Sequence, residues 1–148
     1  VFGAAKLADN AYSLFVQGVM STSLPSGTAK YAGEVLNFRA RNLDNKENWV
    51  DAGNTYRTTG SFTADVNFDT KTIVGKINSG DRWFMNERAF TAGITGSSFN
   101  GKWTSDAQGS VTGGFYGDKA AEMAGRYSYH DKEDKSNNAF GVFGGKKQ

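Results

Sequence analysis

Two-residue alternation of apolar and polar side chains constrains this chain more than any other feature. It is clearest in Ser61-Phe62-Thr63-Ala64-Asp65-Val66-Asn67-Phe68, where Phe62, Ala64, Val66 and Phe68 share one face and Thr63, Asp65 and Asn67 the other. A strand places successive side chains on opposite faces, so this pattern describes a strand buried on one side only. Asp69-Thr70-Lys71 then reads as a turn, and Thr72 to Asn78 as the return strand, with Ile73, Gly75 and Ile77 aligned.

The pattern recurs along the chain. Tyr12 to Met20 alternates with Tyr12, Leu14, Val16 and Met20 on one face. Thr28 to Arg41 is a long strand carrying Ala29, Tyr31, Gly33 and Val35 on one face and Ala32, Leu36 and Phe38 on the other. Ala89 to Thr95 aligns Phe90, Ala92 and Ile94. After Gly96 the parity flips to Phe99, Gly101 and Trp103, so Gly96-Ser97-Ser98 marks a bulge or tight turn. Ser110–Tyr116, Gly125–Tyr129 and Asn138–Gly145 supply further strands. Amphipathic helical periodicity is missing, and with it the crossover helices of a parallel sheet; Asp118 to Ala124 offers one helical turn, with Asp118 as its N-cap. The expected fold class is all-β, an antiparallel up-and-down barrel of about eight strands.

Composition describes the interior of that barrel. The 148 residues include 11 Phe, 6 Tyr and 3 Trp beside 19 Gly and a single Pro, Pro25. Large rings set among residues without side chains predict a filled aromatic interior, which leaves little room for a ligand inside eight strands. A lipocalin-like carrier of a small apolar ligand, the alternative, needs a hollow calyx and slimmer interior side chains. A membrane-spanning barrel needs an apolar outer band; Asp65, Asn67, Thr112 and Gly114 on the opposite face point to solvent instead.

Charge and motifs narrow the function classes. Lys and Arg number 17 against 15 Asp and Glu, a net charge of +2, which provides no basic field for nucleic acid. With no Cys, disulfides, thiolate metal sites and thiol catalysis are excluded, although an extracellular barrel needs none of them. The one histidine, His130, stands beside Asp131-Lys132-Glu133-Asp134, a solvated charge run lacking the spacing of a calcium loop. No base, acid and nucleophile are arranged as hydrolytic catalysis requires. The chain therefore reads as non-enzymatic, with no metal and no cofactor. No window approaches the roughly 20 apolar residues of a spanning helix. Residues 1–11 read as a linker or a strand continuing from an upstream domain, and 12–148 as the barrel; the start reads as that of a mature domain.

Loops are expected at Ser21–Gly27, Leu43–Asn54, Ser79–Arg88 and Lys132–Asn138. Trp49, Tyr56, Trp83 and Phe84 lie in or beside them. Rings in loops either form protein-binding hot spots or fold back to cap the barrel ends, and these four are the candidate ligand-binding residues.

The stretch Val111-Thr112-Gly113-Gly114-Phe115-Tyr116-Gly117-Asp118-Lys119-Ala120-Ala121-Glu122-Met123-Ala124-Gly125 resembles a pattern of transferrin-binding protein B and its relatives, V-x-G-x-F-Y-G-P-x-A-x-E-x-G-G. Asp118 stands where that family often has Pro. Phe140-Gly141-Val142-Phe143-Gly144-Gly145-Lys146 is similar to the family's closing G-V-F-G-x-K strand. The motif residues are Gly113, Phe115, Tyr116, Gly117, Glu122, Gly125, Val142, Phe143 and Gly144, with a structural role. The resemblance implies the C-terminal barrel of a Gram-negative surface lipoprotein, anchored in the outer membrane through a lipidated N-terminus outside this chain. It further implies an outer-membrane translocon partner, the surface lipoprotein assembly modulator. It also implies capture of a host protein (transferrin, haemoglobin or a complement factor) or of haem for nutrient acquisition.

Overall fold

The computed structural model describes residues 1–6, 12–41, 56–82, 84–131 and 137–148. Ten strands follow one another: β1 (Phe2–Lys6), β2 (Tyr12–Val16), β3 (Thr28–Arg41), β4 (Tyr56–Asn67), β5 (Thr72–Asn78), β6 (Glu87–Thr95), β7 (Ser98–Trp103), β8 (Val111–Tyr116), β9 (Glu122–His130) and β10 (Asn137–Lys147). Strands β3 to β10 close into an eight-stranded barrel in the order β10-β3-β4-β5-β6-β7-β8-β9, and every pairing is antiparallel. Sequential neighbours pair throughout, and β10 closes the barrel between β9 and β3.

Strands β1 and β2 form a separate two-stranded sheet. The alternation read from Tyr12 to Met20 therefore does not enter the barrel. It stops at Val16, and Met20 makes only an isolated bridge to Tyr116. Alternation reports a half-buried strand but not which sheet buries it. The hairpin's inner side lies on the outer wall of β9 and β10, where Gly144 leaves room for the Phe2 ring.

Local chemistry explains the turns. Asn67 Oδ1 accepts the backbone N–H of Asp69 and of Thr70, both at 3.0 Å, and Lys71 completes the β4–β5 turn at φ 58°. The β6–β7 parity flip is a tight turn rather than a bulge. Thr95 pairs with Ser98 across the two-residue loop Gly96-Ser97, with Gly96 first and at φ 61°. The expected helical turn is a 3-10 turn at Asp118–Ala120, but Gly117 and not Asp118 occupies its N-cap, with no side-chain cap bond. Lys119 and Ala120 there have φ 52° and 57°, in the left-handed region that non-glycine residues enter at a cost of roughly 1–2 kcal/mol each. Tertiary contacts hold this loop in place: Ala120 is fully buried, and Tyr31 Oη donates to its carbonyl at 2.6 Å.

Rings fill the barrel. Phe115 meets Tyr31, Phe68 and Phe99 at centroid distances of 5.7, 5.3 and 5.9 Å. Phe143 meets Phe62, Phe90 and Phe99 at 4.8, 6.4 and 6.3 Å. Phe99 thus joins two clusters, each centred on one motif phenylalanine. Trp103 continues the stack through Phe90 to Tyr127 and Tyr129. These separations fall in the range where aromatic edges and faces attract.

Glycines make the stack fit. Gly75 is the cross-strand partner of Phe90, Gly113 of Phe99, Gly125 of Phe143 and Gly141 of Tyr127. A Cβ at Gly75, Gly113, Gly125 or Gly141 would stand 2.5, 2.6, 2.7 or 2.6 Å from the partner ring's nearest atom, inside contact distance. Each ring lies over a backbone with no side chain to displace it, and the strands can coil tightly enough to close. The abundance of Gly and of aromatics is therefore one feature.

Candidate functional site

The end of the barrel formed by the start of β4, the β5–β6 loop, the end of β9 and the start of β10 gathers most of the described buried polar groups. Loop residues 79–82 and 84–86 fold back over this end, the capping alternative given for the Ser79–Arg88 loop. Ser79, Asp81 and Met85 are buried in it. Its backbone is tied internally: Asn86 N–H donates to Asp81 O and Ser79 N–H to Asn86 O, both at 2.9 Å. Ser79 Oγ accepts the Asp81 N–H at 3.1 Å. Gly80 has φ 76°, and a Cβ there would strike the Thr59 carbonyl, so this close approach requires glycine.

Asp81 has no exposed side-chain surface, and Arg39 Nε lies 3.1 Å from its Oδ2. A carboxylate so buried must be paired to stay ionised. Arg39 points inward from β3 to supply the charge, and it couples the loop to the barrel wall. Beside it, Tyr127 Oη donates to Asn37 Oδ1, Asn37 Nδ2 to Thr58 Oγ1 at 3.1 Å, and Thr58 Oγ1 to the Ser79 carbonyl at 2.7 Å. This chain links β9, β3, β4 and the loop. Burial raises the Tyr127 phenol well above its ordinary range, which keeps it a donor. Tyr127→Phe leaves the buried Asn37 carbonyl without that donor and is expected to cost about 1–3 kcal/mol in a urea-unfolding measurement.

The candidate binding residues distribute unevenly. Trp49 and Trp83 lie outside the described residues. Tyr56 opens β4, and its side chain is outside the description. Phe84 is half-buried and packs edge-on against Tyr129 at 5.5 Å, while the Arg88 guanidinium sits 5.5 Å over the same Tyr129 ring. One described candidate thus joins a ring-and-cation cluster at the barrel mouth, with Trp103 beneath it. Arg88 is the residue that pattern reading missed: it follows the inward parity of Phe90 and Ala92, which marks it as facing the interior. His130 ends β9 on the outer face, where its Nδ1 shares a hydrogen bond with Asn138 Oδ1. Among the described residues no three His, Asp or Glu side chains are grouped to hold a metal ion.

The motif residues occupy the opposite end and the wall. Phe115 and Phe143 are fully buried hubs, Gly113 and Gly125 lie across from rings, and Val142 is fully buried on the outer side of β10. Gly144 accommodates Phe2, Tyr116 packs over Gly18, Gly117 turns at φ 79°, and Glu122 is exposed at the start of β9. Burial pushes the Tyr31 phenol, which seals this end onto Ala120, up to about 12. A phenol whose pKa is raised on folding destabilises the fold once the unfolded chain ionises. Stability is therefore expected to hold up to about pH 10 and to fall above it as Tyr31 and Tyr127 both resist ionisation, and Tyr31→Phe should make that limb shallower, with Tyr127 supplying the slope that remains, in denaturation curves taken across the range.

Comparison with known proteins agrees with this architecture. The family model of the C-lobe and N-lobe beta barrels of Tf-binding protein B matches residues 24–147. The neisserial heparin binding antigen of Neisseria meningitidis serogroup B is 41% identical over 99% of this chain and 28% of its own length. Transferrin-binding protein B of the same serogroup is 29% identical over 95% of this chain and 27% of its length. The crystal structure of isotype 1 transferrin-binding protein B from serogroup B N. meningitidis superposes with a TM-score of 0.72 at 26% identity, covering 99% of this chain and 32% of that one. The haemoglobin receptor HpuA of Kingella denitrificans shares the fold at a TM-score of 0.65 and 21% identity, over 99% of this chain and 54% of that one. The chain spans under a third of the length of the curated relatives it matches. The motif residues, the ring-filled barrel and the match over residues 24–147 together establish that this chain belongs to the transferrin-binding protein B β-barrel family.

Proposed function

We propose that this barrel is a non-enzymatic, cofactor-free module of a Gram-negative surface lipoprotein that captures a host macromolecule on its exterior. The observation that carries the reading is the filled interior. Phe62, Phe90, Phe99, Phe115 and Phe143 occupy the space in which a carrier would hold a small ligand. Recognition is left to the outer surface, and the closed mouth around Phe84, Tyr129 and Arg88 is the rigid platform for it, with Tyr56, Trp49 and Trp83 the further candidates read from the sequence. Relatives named for transferrin binding and heparin binding support a host macromolecule as the target. In this reading residues 1–11 lead in from an upstream domain, a lipidated N-terminus anchors the protein in the outer membrane, and the surface lipoprotein assembly modulator exports it by reading the barrel. Nutrient acquisition from transferrin, haemoglobin or haem is the role it serves, with a complement factor as the other host target.

The test has two arms. Surface plasmon resonance of the chain against immobilised transferrin, haemoglobin and complement regulators is expected to give binding to one of them. Trp49→Ala with Trp83→Ala should weaken that binding at least about tenfold without lowering the melting temperature. In cells, deleting the barrel from the full protein should abolish surface display. Uptake of haem or an apolar dye into the barrel with a measurable stoichiometry would overturn the reading in favour of a carrier.

A further inference from the structure

Among the described residues, nothing pairs with the outer edge of the β1–β2 hairpin, which stands over a groove. Strand β1 lies toward β3 and β4, where Val1 and Phe2 sit near Leu36 and Thr59, and β2 lies toward β9. Beyond β2 a groove of about 700 Å³ is walled by Leu14, Val16 and Met20 and floored by the outer surfaces of β6 to β9.

The backbone of β2 points its unused groups into this groove. Val1 N–H donates to Gln17 O at 2.7 Å and Gln17 N–H donates to Val1 O at 2.6 Å, which makes Val1 and Gln17 a hydrogen-bonded pair. Antiparallel pairs alternate, so Phe15 and Ser13 also bond toward β1, while the N–H and C=O of Leu14 and Val16 face the other way. An edge of this kind templates another strand.

The floor adds charge complementarity. Gly93, Asn100, Thr112 and Arg126 stand in one cross-strand row on the outer face. The row spans three strand spacings, roughly 14 Å, which exceeds the 4.8 Å a further strand requires. Gly93 contributes no side chain, and nothing stands within 4 Å of the place its Cβ would take. The Arg126 side chain is exposed and has no ion pair or hydrogen bond with any described residue. Residues 18–21 close one end of the groove: Gly117 N–H donates to Val19 O at 3.0 Å and Ser21 N–H to Phe115 O at 2.9 Å. Val19 at 82% and Met20 at 42% exposure give that end an apolar rim.

We propose that this groove takes an extended peptide strand of a partner protein, added to the free edge of β2, with an acidic side chain over Arg126 and apolar side chains against Leu14, Val16 and Met20. Main-chain hydrogen bonds to Leu14 and Val16 would supply affinity, and Arg126 the preference for an acidic sequence. The surface is separate from the barrel mouth, so its occupancy does not depend on the loop rings.

The test uses the whole chain and a ten-residue peptide of alternating Val and Thr with a central Glu, alongside its Lys counterpart. Titration followed by backbone NMR is expected to shift and protect the Leu14 and Val16 amides, with the Glu peptide binding at least about tenfold tighter. Arg126→Glu should reverse that preference while leaving the melting temperature unchanged, and N-methylation of the central peptide residues should abolish binding. Equal affinity for both peptides, shifts mapping elsewhere, or no binding at millimolar peptide would overturn the proposal. So would Leu14 and Val16 amides protected without peptide, either as the protein concentration rises (a second copy) or within a longer polypeptide (a segment of its own).

Discussion

Phe143→Ala is expected to cost about 3–5 kcal/mol, a large fraction of the roughly 5–15 kcal/mol that holds a typical domain folded. Phe143 is fully buried and meets three rings on three different strands, Phe62 on β4, Phe90 on β6 and Phe99 on β7. Its removal leaves a void that rigid neighbours cannot collapse into, since Phe90 and Phe99 are each held over a glycine. Equilibrium urea unfolding followed by Trp fluorescence measures the loss. Val74→Ala, at an outward position 57% exposed, serves as the control and should shift stability by no more than about 0.5 kcal/mol. A Phe143→Ala loss below about 1 kcal/mol would mean that the ring stack is not what holds the barrel.

Gly125→Ala should be nearly as damaging, at about 3 kcal/mol or more, for the opposite reason. Its Cβ would fall 2.7 Å from Phe143 Cζ and into the Thr112 carbonyl, and the carbonyl belongs to a paired strand that cannot yield. Gly75→Ala provides the contrast. There the close atoms are the Phe90 ring's outer carbons at 2.5 Å, with the nearest backbone oxygen at 3.0 Å. Pairing Gly75→Ala with Phe90→Leu should therefore recover part of the loss, whereas Gly125→Ala with Phe143→Leu should not. A double-mutant cycle on each pair reads the difference as a coupling energy, expected at about 1 kcal/mol or more for Gly75–Phe90. Rescue of both pairs alike would refute the backbone origin of the Gly125 constraint.

Strand reading was reliable where one face was buried and the other wet, as in β4 to β7. At Tyr12–Met20 it gave the strand Tyr12–Val16 but not its sheet, because alternation records burial and not the identity of the burying surface. It failed at Asp118 because the preference for an N-cap is worth about 1 kcal/mol. The Tyr31–Ala120 bond and the burial of Ala120 outweigh that preference. The Ser79–Arg88 loop was legible as a loop, but burial of Asp81 depends on Arg39, some forty residues earlier, which no local pattern reveals. The candidate binding rings were legible as residue types, but only Phe84 and its neighbours Tyr129 and Arg88 acquire a geometry from the described structure.

The sequence by itself determined an antiparallel all-β chain with an inward aromatic face, because period-two alternation and turn residues act over a few neighbours and need no distant partner. It also carried the family, through the Phe115–Gly125 and Val142–Gly144 motifs. Only the tertiary structure decided which glycine each ring covers, how Arg39 and Asp81 close the mouth, and that β1 and β2 stand outside the barrel with an open edge. Those features depend on register between distant strands, in β3 and β10 between residues more than 100 positions apart, where packing and charge pairing, rather than local propensity, select the arrangement.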